Sequence, residues 1–216
     1  MPQRKGNVHK LVRPTAAAEQ SRIDQILLVA ASVFARHGYR NTDVQVIADE
    51  LGIGKATIYR KFPTKQELFL AAVDRGMERL SEHLDQTRQA AGGLEPLERL
   101  KMMVRAYFKF FQNNPDLVEL FFQERAEFRD RPQMTYFRHR DKNMEKGKAF
   151  LQELVASGKI RHLSVEALLD VLSQTMYGTL FVHFLSRSNK TLDQRADDVI
   201  EVFVDGLRLD QPGDLR

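Results

Sequence analysis

Residues 48–68 read ADELGIGKATIYRKFPTKQEL. The stretch places two glycines, two threonines, a tyrosine, a proline and four lysines or arginines between two helix-like runs. Few of these residues suit the interior of a helix or a strand. They do suit two short helices joined by a tight turn. The first helix needs a small residue where the second crosses it, and Ala48 supplies one. The turn needs a residue that tolerates positive φ, which Gly52 does without strain. The second helix needs an apolar residue to lock the pair, and Ile58 stands at that offset. Ile47 and Leu51 give the first helix its buried face, and Ile53 plugs the gap beneath the turn. The spacing predicts a helix-turn-helix.

Working outward, the chain reads as helices throughout. On the N-terminal side, Ile23, Ile26, Leu27, Ala30, Ala31, Val33 and Phe34 recur at helical spacing over 21–37. Gly38 stops that run. Thr42 stands as the expected N-cap of the next helix, which ends at Gly52. The third covers 55–61 and is broken by Pro63. Thr64, with Glu67 three residues on, has the form of a capping box and opens a long helix that closes at Gly92 and Gly93. Further helices are expected over 95–113, 115–128, 132–157, 164–187 and 192–209. The fold class is therefore all-α, with about nine helices. We expect a flexible basic arm over 1–20, a helix-turn-helix domain over 21–66 and a larger helical domain over 67–216, the last two joined through the long fourth helix.

The 216 residues are 43% hydrophobic and 29% charged, enough to build a sizeable core. The chain has no cysteine, which removes disulfides and thiolate zinc sites. It shows neither a spanning apolar run nor the apolar stretch of a secretory leader, so a cytoplasmic protein is expected. The net charge of +4 is unevenly spread. Residues 1–65 carry 11 Lys and Arg against 5 Asp and Glu. A basic end on a near-neutral body suggests a polyanionic partner, nucleic acid before membrane.

The second helix of the pair has an unusual outer face. Lys55, Ala56, Thr57, Tyr59, Arg60 and Lys61 are small, polar or basic. Such residues can enter a major groove, with hydroxyls for phosphates and cations for phosphates or guanine edges. Lys65, in the first turn of the fourth helix, and Thr42 are further candidates for phosphate contact. Arg4, Lys5, Lys10 and Arg13 would let the arm lie in a minor groove.

Taken together, VIADELGIGKATIYRKFPTKQEL (46–68) resembles the DNA-binding segment of the TetR family of bacterial transcriptional regulators. ILLVAASVFARHGYRNTDV (26–44) resembles that family's first helix and its Gly-aromatic exit. The resemblance is specific over residues 23–70 and only architectural beyond them. It implies a homodimer on a palindromic operator, with a ligand in the C-terminal domain controlling the spacing of the two reading heads. Carried over by position, backbone contacts fall on Thr42, Thr57, Tyr59 and Lys65. Base-reading positions fall on Gln45, Lys55, Ala56, and Arg60 or Lys61. Gln45 stands where many members carry arginine.

The larger domain is rich in aromatic residues. AYFKFFQ (106–112) and LVELFF (117–122) hold five phenylalanines and a tyrosine. The fifth helix shows Met102, Met103, Tyr107, Phe108, Phe110 and Phe111 on more than one face, which invites a cavity or a second helix contact. Glu124 and Arg125 follow directly, as charges that could orient a ligand. Phe111, Phe122, Arg125, Phe137 and Tyr177 are the candidate lining for a mostly apolar or aromatic effector. Along the last two helices, Leu168, Leu172, Thr175, Gly178, Thr179, Val182, Val199, Phe203 and Leu207 mix large and small residues. They are the candidate dimer surface, with Gly178 marking a close helix approach.

Other motifs fail on their own terms. GIGKAT lacks the Ser or Thr and the preceding strand of a phosphate loop. HRDKN (139–143) echoes a kinase catalytic loop, but its asparagine is misplaced and its partner motifs are missing. The six histidines show no close pair, so no metal site is expected. NKT at 189–191 is a glycosylation sequon by letters only. No catalytic residue and no cofactor is expected. The alternatives left open are an all-α enzyme and a non-specific architectural DNA binder.

Overall fold

The computed structural model describes residues 15–161, 163–186 and 189–208. The candidate arm residues Arg4, Lys5, Lys10 and Arg13 lie outside the described residues. Among those described there are nine α-helices and no strand, only an isolated bridge between Ile160 and Arg208. None of these helices is long and apolar enough to cross a membrane.

The first helix, α1 (Ala16–His37), begins earlier than the apolar periodicity suggests. Thr15 caps it, its Oγ1 accepting the Ala18 N–H at 3.3 Å. Its first turns, three alanines followed by Glu19, Gln20, Ser21 and Arg22, are exposed, so no buried apolar stripe marks them. Ile26, Leu27, Ala30, Val33 and Phe34 form its buried stripe. Gly38, at φ 79°, ends it.

Helix α2 (Val44–Leu51) is capped by Asp43 and not by Thr42. The Asp43 side chain accepts the Gln45 N–H at 2.8 Å. Thr42 is buried, and both its hydroxyl (2.7 Å) and its N–H (3.2 Å) donate to the Gly38 carbonyl. The expected cap residue is thus consumed one step earlier, in closing the turn. At the far end Gly52 is left-handed, at φ 63° and ψ 33°. Its N–H reaches Asp49 O at 3.1 Å while Ile53 N–H reaches Ala48 O at 3.0 Å, a Schellman closure that only a residue without Cβ strain adopts freely.

Helix α3 (Lys55–Tyr59) is shorter than the expected 55–61. Pro63 disfavours helical geometry at the residue before it, and the chain tightens instead, with Lys61 and Phe62 N–H both donating to Ile58 O at 2.9 Å. Thr64 then caps α4 (Lys65–Ala90), its hydroxyl accepting Glu67 N–H at 3.0 Å. A reciprocal capping box forms instead at Thr191 and Gln194.

The remaining helices are α5 (Pro96–Asn113), α6 (Pro115–Glu127), α7 (Thr135–Ala156), α8 (Val165–Leu185) and α9 (Leu192–Val199). The expected helix over 192–209 is not uniform: after Val199 it loosens into a π turn, Ile200–Val204, then tightens over Asp205–Leu207. Ile200, Val204 and Leu207 are buried while Val202 is 79% exposed.

Helix α4 ties the parts together, packing on α1, α5, α6 and α7. Below it, Phe34, Ile47, Ala48, Ile58, Leu68 and Phe69 are almost wholly buried and form the core of the N-terminal head. Phe34, Tyr39, Phe69 and Phe128 cluster with ring centroids 4.9–6.0 Å apart, joining α1, its exit turn, α4 and the end of α6. Gln123 Nε2 donates to Phe34 O at 2.9 Å, and Arg40 Nε to Glu127 at 2.8 Å. The head is therefore fastened to α6 as well as to α4.

Candidate nucleic-acid interface and effector cavity

The burial of Ile58, where α3 packs on α2, turns the rest of α3 outward. Ala56, Tyr59, Arg60 and Lys61 are exposed, and Lys55 and Thr57 are half-buried. On α2 Gln45 is exposed, its Nε2 donating to Asp49 Oδ1 at 2.7 Å. Lys55 Nζ donates to Asp43 Oδ1 at 2.6 Å and lies 5.9 Å from the Tyr59 ring centre. The Gln45 N–H first, and then the Lys55 ammonium, hold the Asp43 carboxyl below the usual carboxylate range. The same pair raises Lys55. Lys61 pairs with Glu19. Lys65 caps the α1–α2 turn: Nζ donates to Arg40 O at 3.2 Å and Thr42 O at 3.1 Å, and sits 4.7 Å over the Tyr39 ring.

Eight of the nine candidate contact residues are thus exposed or half-buried on the head. Thr42 does not join them, because its donors are spent on Gly38 and it is 4% exposed. Asp43, which belongs to this face, was missed. A carboxylate is an unattractive choice opposite phosphates, and its pairing with Lys55, twelve positions away, is visible only in three dimensions.

A cavity of about 450 Å³ lies between α4, α5, α7 and α8. Leu80, Leu84, Leu100, Met103, Leu169 and Met176 give it apolar walls. Tyr107, Tyr136 and His139 reach it as buried polar groups. The two tyrosine hydroxyls share a hydrogen bond of 2.9 Å. Burial is the main cause that raises both phenols, Tyr136 to about 12. His139 Nε2 donates to Asp74 Oδ1 at 2.6 Å, and Arg138 donates to the same oxygen at 2.5 Å. The cavity therefore abuts a polar link between α7 and α4. Arg88, Arg99, Lys146 and Lys148 also lie on its boundary, each paired with a carboxylate.

None of the five candidate lining residues borders this cavity. Phe111 is fully buried core. Phe122, Phe137 and Tyr177 pack around Phe181 and Tyr136 in an aromatic cluster with centroids 4.2–5.4 Å apart. Arg125 is exposed at the end of α6. The neighbouring Glu124 is fully buried: its Oε1 accepts from Arg131 and from the N–H and hydroxyl of Thr135, at 3.0 and 2.9 Å. It ties α6 to the start of α7 instead of orienting a ligand. Of the two readings left open for the aromatic helices, a cavity and a helix contact, a cavity is present, and it opens on faces other than those of the five candidates.

The candidate dimer surface divides. Leu168, Leu172, Val199 and Leu207 are buried within the chain and belong to its own core. Thr175, Gly178, Thr179 and Phe203 are partly exposed, and Val182 is 56% exposed. Val171 and Leu185, passed over in the sequence, are exposed too, as is Val202. Positions 171, 175, 178, 182 and 185 follow one another at helical spacing, a single apolar stripe on α8. A Cβ on Gly178 would meet nothing within 4 Å.

Residues 26–72 match the family model of bacterial regulatory proteins of the tetR family. The chain is 31% identical over 102 residues to the HTH-type transcriptional repressor KstR of Mycobacterium tuberculosis, over 47% of this chain and 46% of that one. It thus spans about half the length of the first relatives it matches. To the HTH-type transcriptional repressor KstR2 of Mycolicibacterium smegmatis it is 30% identical over 148 residues, 68% of this chain and 71% of the other. The crystal structure of FadR from Bacillus subtilis in complex with stearoyl-CoA superposes with a TM-score of 0.68 at 19% identity, covering 85% of this chain and 98% of that one; this likeness is one of fold alone. With an exposed α3 face on a three-helix head, a head fastened to a cavity-bearing helical body, and a matching relative spanned over most of its length, the chain belongs to the TetR family of bacterial regulatory proteins.

Proposed function

We propose that this protein is a ligand-responsive transcriptional regulator that binds a palindromic operator as a homodimer, most readily as a repressor. The DNA-binding head covers residues 21–66, and residues 67–216 form the effector-binding and dimerisation part. The observation that carries the reading is the outward face of α3, with Lys55, Thr57, Tyr59 and Arg60 presented on a rigid apolar base. Thr57, Tyr59 and Lys65 hold phosphates; Gln45, Lys55, Ala56 and Arg60 or Lys61 face the bases. The exposed stripe of α8, with Val202, is the two-fold interface. The protein works as a regulator in the cytoplasm and not as an enzyme.

The cavity supports an effector with an apolar body and one polar group. Its walls are leucine and methionine, and a hydroxyl or carbonyl would find Tyr107, Tyr136 or His139. A FadR of the same fold is bound to stearoyl-CoA, and a long acyl effector agrees with this lining. Fluorescence anisotropy on a selected operator tests it, with acyl-CoAs and free fatty acids of varied length as additions. An effector that lowers DNA affinity, and no longer does so in Leu84→Trp, which fills the cavity, is the expected result. Effectors that act equally on Leu84→Trp would place the regulatory site elsewhere.

A further inference from the structure

Four cations of the reading head and its borders are already paired with carboxylates. Lys55 is paired with Asp43 at 2.6 Å, Arg36 with Glu50 at 2.5 Å, Arg40 with Glu127 at 2.8 Å, and Lys61 with Glu19. Asp49 accepts from Gln45. The head thus carries carboxylates that compete with phosphates for its own positive charge. Among them Asp43 is placed most directly. Its Oδ1 also accepts the Gln45 N–H as the cap of α2, so the helix end fixes where the charge sits. Its side chain is nevertheless 63% exposed, beside the residues that face DNA.

Resting on the DNA-binding reading above, we propose that Asp43 is a specificity-determining residue, acting through Lys55 against non-cognate DNA. Phosphate contacts drive non-specific binding through counterion release. A Lys55 already neutralised by Asp43 contributes little to that release, and the carboxylate repels the backbone. An ammonium has several N–H donors. On the matching sequence Lys55 keeps Asp43 and turns its remaining donors to the O6 and N7 of a guanine. The penalty therefore falls on wrong sequences more than on the right one, and specificity follows from that difference.

The test uses the full-length protein, a duplex selected by the wild type from a random pool, and a random duplex, at two salt concentrations. Asp43→Asn removes the charge and keeps a good helix cap, and an unchanged thermal midpoint confirms the fold. The expected result is a rise of about fivefold in affinity for the random duplex and less than about twofold for the selected one. In a Lys55→Gln background Asp43→Asn should raise both alike, because the partner it acts through is gone. Equal changes on the two duplexes in the Lys55 background, no change, or a loss on both would overturn the proposal, as would a falling ratio that persists without Lys55. A wild type that selects no sequence at all would instead sink the regulator reading itself, and this inference with it.

Discussion

At the scale of single residues, exposure and free donors separate the candidates. Tyr59 is 36% exposed on α3, and its hydroxyl suits a phosphate. Tyr59→Phe should weaken binding by roughly fivefold, the worth of one hydrogen bond, and should do so equally on operator and random duplex in parallel titrations. A loss confined to the operator would assign Tyr59 to base reading. Thr42 shows how sequence position misleads: its chemistry is right for a cap or a phosphate, but Gly38 O takes both its donors. Asp74 carries a prediction of a different kind. Burial alone would push its carboxyl up, but hydrogen bonds from His139 and Arg138 and the Arg138 charge outweigh that and leave it lowered. A lowered carboxyl contributes stability that is complete above the ordinary aspartate range, about 3.9. That contribution is lost as pH falls through the folded value. Asp74→Asn should therefore be less stable at neutral pH and lose less on acidification, as denaturant titrations at pH 7 and pH 3 would show. Parallel losses in both proteins would mean that the Asp74 link carries no net stability.

At the scale of elements, the sequence is most legible where a local stereochemical demand leaves few residue choices. Gly52 must be left-handed, Pro63 must end a helix, and Ile58 must be apolar; these fix the turn and the two short helices beside it within a residue or two. Legibility falls where several faces of a helix are apolar. Helix α8 is such a case: Leu168 and Leu172 look outward in the sequence and are buried in the chain, while Val171 and Leu185 are exposed. The candidate lining stands apart from the cavity for the same reason, since aromatic content alone does not tell a packed cluster such as Phe122, Phe137, Tyr177 and Phe181 from a lining. Long-range pairs such as Lys55–Asp43 and Arg40–Glu127 leave no periodic trace at all. Gly178 tests the stripe. Within one chain a Cβ there meets nothing, and alanine should favour the helix by up to about 1 kcal/mol. If a second copy packs on it, Gly178→Ala should raise the dimer dissociation constant several-fold by analytical ultracentrifugation. An unchanged dimer with a higher thermal midpoint would place the interface elsewhere.

At the scale of the whole molecule, the head and the cavity share supports. Helix α4 lines the cavity with Leu80 and Leu84 and buries Leu68 and Phe69 in the head. Helix α6 holds the head through Gln123 and Glu127, and through Glu124 it holds the start of α7, which carries Tyr136 and His139. An effector that shifts α7 or α4 must alter how the head is carried. Whatever it costs DNA binding, DNA binding must cost it equally. Everything in this coupling presupposes that the outward face of α3 reads DNA in pairs. The most direct test is selection of duplexes by the purified full-length protein from a random pool at stated salt, followed by footprinting of the winners. The account predicts enrichment of a palindrome whose half-sites lie about one helical turn, or a multiple, apart, with protection lost in Tyr59→Phe and Lys55→Ala combined. Enrichment of no sequence, or of one unpaired site bound equally well by that double variant, would contradict it.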